Sequence, residues 1–338
     1  VLKTALKYNP DDGKAYYSMG NILYEKQPEK AIENWETSVI HNPTLAVAYR
    51  NLGWGYYHHY GDGHKAITYY EKAISLNDQE AIYYTELDAL YEMNNTPVAT
   101  RMELFEGSYD VVINRDDAFI RLISVLTLDG QVNKAVEYLE GVKFAYREGS
   151  SRVRDIIIDA QLMAGKKYFD EGNYKKALEY FLEAQVPEEE AGSAQYGNRS
   201  IQVNYYIGTA YEALGKDSKA NKFYHLAAGE ESSKTSSIMT YYRGLSLTKT
   251  GNIDKAKQVF KSMIADGNKQ LEGERPSDQV GVIFGAREDE DKRLSQAYTI
   301  RGLGYKGLNQ PKQAYKDLEK AVELQYSNLW ANTLLSSD

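Results

Sequence analysis

Small, aromatic and polar positions recur along this chain with the period of a helical hairpin. With Gly208 as origin, Tyr211 lies three residues on, Gly215 seven, Ala220 twelve, Tyr224 sixteen and Ala227 nineteen. The same offsets from Gly165 give Tyr168, Gly172, Ala177, Phe181 and Ala184, and from Gly244 they give Leu247, Gly251, Ala256, Phe260 and Met263. Gly302 and Ile123 start two further copies. Gly53 keeps the pattern with one extra residue in the turn, and Gly20 keeps it with one fewer. Around Asp88 it is degraded, with Tyr91, Thr100, Leu104 and Gly107 at the key places. Spacings of three and four put these residues on one face of a helix. Each unit therefore predicts two helices joined by a tight turn. The first helix carries a small residue where the second crosses it, the second returns an Ala, and Tyr or Phe fills the remaining space. A lone hairpin cannot bury its apolar face, so neighbours must stack.

The pattern resembles the tetratricopeptide repeat. That resemblance implies an all-α fold: a right-handed α-solenoid superhelix of about eight hairpins with a C-terminal capping helix. The cap falls on Asn328–Leu335, where Leu329, Trp330, Leu334 and Leu335 stand at helical spacing. Residues 1–338 read as a single repeat domain. Asn9-Pro10 corresponds to Asn42-Pro43, the break after a second helix, so Val1 is expected to lie inside the second helix of a preceding unit and the chain to be a fragment of a longer protein.

Three links exceed the plain period. One holds Tyr146–Ser151, one holds Pro187–Glu190 and Gly197-Asn198, and the longest, 266–293, carries the apolar Val280–Phe284 and an acidic run. Long links in compact repeats are functional or disordered. For the longest, packing on its own repeat and contact with the inner groove or a partner chain both stay open.

A narrower resemblance rests on Asn51-Leu52-Gly53-Trp54-Gly55-Tyr56-Tyr57, Glu86-Leu87-Asp88-Ala89-Leu90-Tyr91, Asn204–Glu212 and the long link before Arg301-Gly302-Leu303-Gly304-Tyr305. These segments are similar to the C-terminal helical region of large bacterial proteins of unknown function, in which the repeats follow a β-rich, mutarotase-like domain. The chain departs from that family at Tyr146–Ser151, where the family carries a Trp-Glu-Gly-Gly-like stretch. The resemblance implies that catalytic or sugar-binding machinery lies upstream of these residues.

Composition narrows the chemistry. The absence of cysteine excludes disulfides, Cys-based metal sites and a thiol nucleophile. A formal charge of −8 argues against nucleic acid, whose phosphates call for clustered Lys and Arg. No apolar stretch reaches the ~18–20 residues needed to span a bilayer. His58, His59 and His64 form the one histidine cluster, but adjacent helical residues point about 100° apart. The cluster reads as a polar turn rather than a metal site, and Gly61-Asp62-Gly63 reads as turn punctuation. No catalytic residue, cofactor or metal ligand is predicted, and nothing marks a compartment.

Tyr56, Tyr70, Tyr91 and Tyr224 occupy packing offsets and are expected in the core. First helices line the inner surface of such repeats. One stripe on them holds Tyr17, Asn21, Tyr24, Arg50, Trp54 and Tyr57 near the N-terminus, and Tyr205 and Tyr241 further on. An aromatic face with scattered polar groups suits a peptide, a helix or a sugar-bearing ligand. Packing between adjacent first helices is the competing account of the same residues. The groove that clamps a chaperone's C-terminal carboxylate needs cations where this chain has Tyr17, Ile82 and Glu86, so no such clamp is expected. The predicted role is a non-catalytic scaffold whose groove binds protein or peptide, including the upstream domain of the same polypeptide. The alternative is an accessory module of a carbohydrate-active enzyme.

Overall fold

The computed structural model describes residues 2–142, 144, 151–185, 199–229, 236–273 and 290–336. Among them every regular element is a helix. The chain divides into two compact units, Val1–Leu122 and Ile123–Asp338.

In the N-terminal unit a lone helix α1 (Leu2–Tyr8) precedes three hairpins. They are α2 (Gly13–Leu23) with α3 (Pro28–His41), α4 (Ala46–Gly55) with α5 (Gly63–Leu76), and α6 (Ala81–Met93) with α7 (Val98–Phe105). A short α8 (Tyr109–Val112) leads to α9 (Asp116–Leu128), which spans the division between the units. The second unit continues with α10 (Val132–Leu139), α11 (Ser151–Asp170), α12 (Tyr174–Glu183), α13 (Ser200–Ala213), α14 (Asp217–Gly229), α15 (Ile238–Lys249), α16 (Ile253–Leu271), α17 (Glu290–Gly307), α18 (Pro311–Leu324) and α19 (Leu329–Leu335). The expected eight hairpins are thus present among the described residues. Val280–Phe284, Tyr146–Ser150 and Pro187–Glu190 lie outside the described residues.

Helix crossings explain the repeat. A Cβ added at Gly165 would lie 2.3 Å from the Phe181 ring, at Gly208 2.6 Å from Tyr224, and at Gly244 2.4 Å from Phe260. Gly20 meets Trp35 and Gly53 meets Tyr70 in the same way. Each glycine is the seat for the ring sixteen or so residues later. The returning Ala31, Ala66, Ala135 and Ala177 are sealed from water. Tyr56, Tyr70, Tyr91 and Tyr224 are all buried, as expected.

The turn residue is constrained too. Seven residues beyond the origin the backbone is left-handed, with φ of 77° at Gly172 and 58° at Asn309. Glycine adopts that region freely and Asn tolerates it, which accounts for the residue choice there.

Two hairpins differ from the sequence expectation in detail. The extra residue after Gly53 is not in the turn. It is absorbed in a π-helical turn, Tyr56–Tyr60, that continues α4 before the left-handed Gly61. In the first hairpin the missing residue is the left-handed one, and the chain passes through Gln27 directly to Pro28 at the start of α3. A proline there suits the helix start, where its missing N–H has no helical partner to lose.

The degraded repeat has its own solution. Asp88 is fully buried and is held by Arg101 through both carboxylate oxygens, at 2.7 and 2.9 Å. Arg121 adds a contact to Asp88 at 2.8 Å and one to Glu92 at 3.1 Å. An ion-pair network thus fills the crossing that a ring on glycine fills elsewhere.

Candidate functional site

The π turn shapes a surface on α2, α4 and α6. A π turn inserts one residue without ending the helix, and such turns recur at functional sites. Here it carries Tyr57 and His58 past the end of α4, next to Trp54. The Trp54 and His58 ring centroids are 3.8 Å apart, and Tyr57 meets His58 edge-on at 4.9 Å. Burial raises the pKa of the nearby Tyr24 hydroxyl, and Trp54 partly opposes that. Arg50 sits 5.5 Å from the Trp54 ring centre, within range of a cation–π attraction. Trp54 nevertheless keeps 37 % of its surface open to solvent.

Polar side chains bind this surface together. Arg50 grips Glu86 of α6 with two guanidinium nitrogens, Nε lying 2.8 Å from Oε2. It also donates to Asn51 Oδ1 at 3.3 Å. Asn21 Oδ1 accepts from Trp35 Nε1 at 2.9 Å and from Asn51 Nδ2 at 2.8 Å. Tyr57 donates its hydroxyl to Met93 Sδ at 2.9 Å. Tyr17 and Tyr24 lie half-buried at the edge of the core around Trp35 and Tyr70. The structure therefore gathers Asn21, Tyr24, Arg50, Trp54 and Tyr57 on one face of this unit. Arg50 and Asn21 also tie adjacent first helices together, as the competing account of these residues holds. Burial lowers the pKa of His58, and the charge of Glu86 partly opposes that.

Tyr205 and Tyr241 belong to the second unit. Tyr205, on α13, is half-buried, and burial pushes its hydroxyl up to about 12. Tyr241, on α15, is buried at 4 % exposure, with its ring 6.0 Å from Phe260. Both line a cavity of about 240 Å³ together with Phe169, Leu245 and Leu334.

The sequence gives less warning of two other features. The partner of Asp88 lies at Arg101, three residues short of the offset where rings stand in other repeats. Trp330 donates its indole N–H to Asp159 at 2.9 Å, across 171 residues of chain. A lone Trp in the last helix is the one signal pointing to that contact.

Among the described residues no three His, Asp or Glu side chains converge on a metal position. No helix among them is long and apolar enough to cross a membrane.

A tetratricopeptide repeat family model matches residues 295–328, which span α17 and α18. A PPR repeat model matches residues 246–268. Among solved structures, this chain is similar to YrrB, a TPR protein with an unusual peptide-binding site, at 19 % identity and a TM-score of 0.41, over 54 % of this chain and 90 % of that one. A tetratricopeptide repeat protein from Parabacteroides merdae is similar at 14 % identity and a TM-score of 0.37, over 96 % and 97 %. The structure of Naa15/Naa10 bound to HypK-THB is similar at 11 % identity and a TM-score of 0.45, over 99 % of this chain and 62 % of that one.

Proposed function

We propose that this chain, whose hairpins are of the tetratricopeptide type, is a non-catalytic scaffold that holds a protein or peptide partner on the first-helix face of its N-terminal unit. The observation that carries the reading is Trp54: a large ring, partly open to solvent, yet held between His58 and Arg50. A pre-set aromatic anchor loses little entropy on binding, and that is the character of an interface hot spot. Tyr57 extends the surface along the π turn, with Tyr17, Asn21 and Tyr24 beside it. In the second unit Tyr205 and Tyr241 lie on the corresponding first helices. The upstream part of the same polypeptide is one candidate partner.

Burying one such ring contributes roughly 1.5–3 kcal/mol. A partner confirmed with purified components should therefore lose roughly ten- to hundredfold in affinity with Trp54→Ala or Tyr57→Ala. Unchanged affinity for both variants removes this surface from the binding site.

The exposed Trp54 ring beside the Asn21 and Asn51 amides supports a second reading, an accessory module that contacts sugar for an upstream carbohydrate-active domain. Oligosaccharide titration followed by tryptophan fluorescence separates the two. Saturable quenching that disappears in Trp54→Phe favours the sugar reading; a flat titration leaves the protein partner.

A further inference from the structure

The second unit's inner face is already occupied. Helix α19 follows α18 in sequence, but Trp330 makes its ring and polar contacts with α11, α13 and α15. Its indole N–H donates to Asp159 Oδ1 of α11 at 2.9 Å. Its ring lies 6.3 Å from that of Tyr206 on α13 and 6.2 Å from that of Tyr242 on α15. Arg199, just before α13, faces the indole at 6.0 Å and donates to the same Asp159 oxygen at 2.5 Å. One turn on, Thr333 contacts Met163 Sδ at 3.5 Å, and Leu334 borders the cavity lined by Phe169, Tyr205, Tyr241 and Leu245.

We propose that the inner face of α11, α13 and α15 is a helix-recognition site, that α19 is its resident occupant, and that the site fits a partner helix bearing a Trp with a Leu four residues on. Trp330 and Leu334 are the occupant's anchors on one helical face. Asp159 favours a Trp at this place, because its half-buried Oδ1, already held by Arg199, accepts the indole N–H as well. The cavity shows that the site runs beyond α19. It is an open cleft of about 240 Å³ with Phe169, Tyr205, Tyr241 and Leu245 on its walls and the Lys166 and Asp170 side chains at its edge. A partner helix one turn longer would place a further apolar side chain there and so displace α19. This inference concerns the second unit and stands apart from the reading of the Trp54 surface.

The test uses a fluorescein-labelled peptide with the sequence of residues 326–338. It is titrated against the parent chain, the chain ending at Gln325, and full-length Trp330→Ala. Both variants should bind it saturably, at least tenfold tighter than the parent does. The same peptide with Ala in place of Trp should bind at least tenfold more weakly. Equal binding by the parent overturns the proposal, as does a variant that keeps the parent's helical circular dichroism and binds no peptide. Loss of the helical signal in both variants also overturns it, because α19 would then be a part of the fold that cannot leave.

Discussion

Arg101 holds both carboxylate oxygens of Asp88 at the helix crossing where the two preceding hairpins set an aromatic ring on a glycine. Asp88 is fully buried and Arg101 is 2 % exposed. Breaking a buried pair leaves a charge without a counter-charge, at a cost of about 3–5 kcal/mol. Asp88→Ala should cost that much in urea unfolding, because it strands Arg101 and also deprives Arg121. The double variant Asp88→Ala/Arg101→Met should recover a substantial part. No recovery would mean that the network contributes more than an apolar filling of the same space.

The ring-on-glycine crossings make a separate prediction. Gly165→Ala puts a methyl group 2.3 Å from the Phe181 ring, and Ala177→Leu swells the sealed face opposite it. Each should cost about 1–3 kcal/mol by overpacking. Gly229→Ala, with nothing within 4 Å, serves as the control and should be close to neutral. Thermal denaturation of the three variants checks the register directly.

Backbone handedness can be tested at the turns. Gly172→Ala should cost about 1–2 kcal/mol, because an L side chain is crowded at its φ of 77°. Asn309→Gly, at φ 58°, should be neutral or slightly stabilising in the same assay.

Helix, turn and crossing were all readable from the chain because they repeat: the same steric demand selects glycine at six of the eight hairpin origins. What does not repeat was not readable. An inserted residue after Gly53 changes the spacing equally whether it lengthens the turn or winds a π turn, so spacing alone cannot place it. Arg101 fills its crossing from the wrong offset, since a long guanidinium arm reaches what a ring would reach from Leu104. The seat of Trp330 depends on how four stacked hairpins curve, which no local pattern encodes. Of the groove residues, Asn21, Tyr24, Arg50, Trp54 and Tyr57 lie together on one face. Their mutual hydrogen bonds follow from side-chain reach between helices, which the sequence does not display.

His58 offers a pH prediction. Burial holds its pKa below the ordinary histidine value. In the window just below that value the unfolded chain takes up this proton more readily than the folded one. The contribution to stability is therefore complete above the ordinary value and fades as the pH falls through the folded one. In an NMR titration His58 should titrate below the ordinary histidine value, and Glu86→Gln should move it lower still by removing the charge that opposes the shift. A rise in Glu86→Gln would contradict the geometry of this surface.

The cavity beside Leu334 predicts tolerance where cores are usually intolerant. Leu334→Phe should leave the melting temperature unchanged or raise it slightly, because the added ring atoms have about 240 Å³ to enter. A loss of about 1–3 kcal/mol, the usual penalty for a larger core residue, would show that this space cannot be reached from α19.

The π turn at Tyr56–Tyr60 exceeds the common hairpin period by one residue. Loss of a single codon within it would restore that period, let α4 rewind as ordinary helix and swing His58 away from Trp54. The repeat could still stack on its neighbours. The exposed aromatic face and the stacked hairpins beneath it are therefore open to separate mutation: one in-frame deletion can erase the former while the latter are inherited intact.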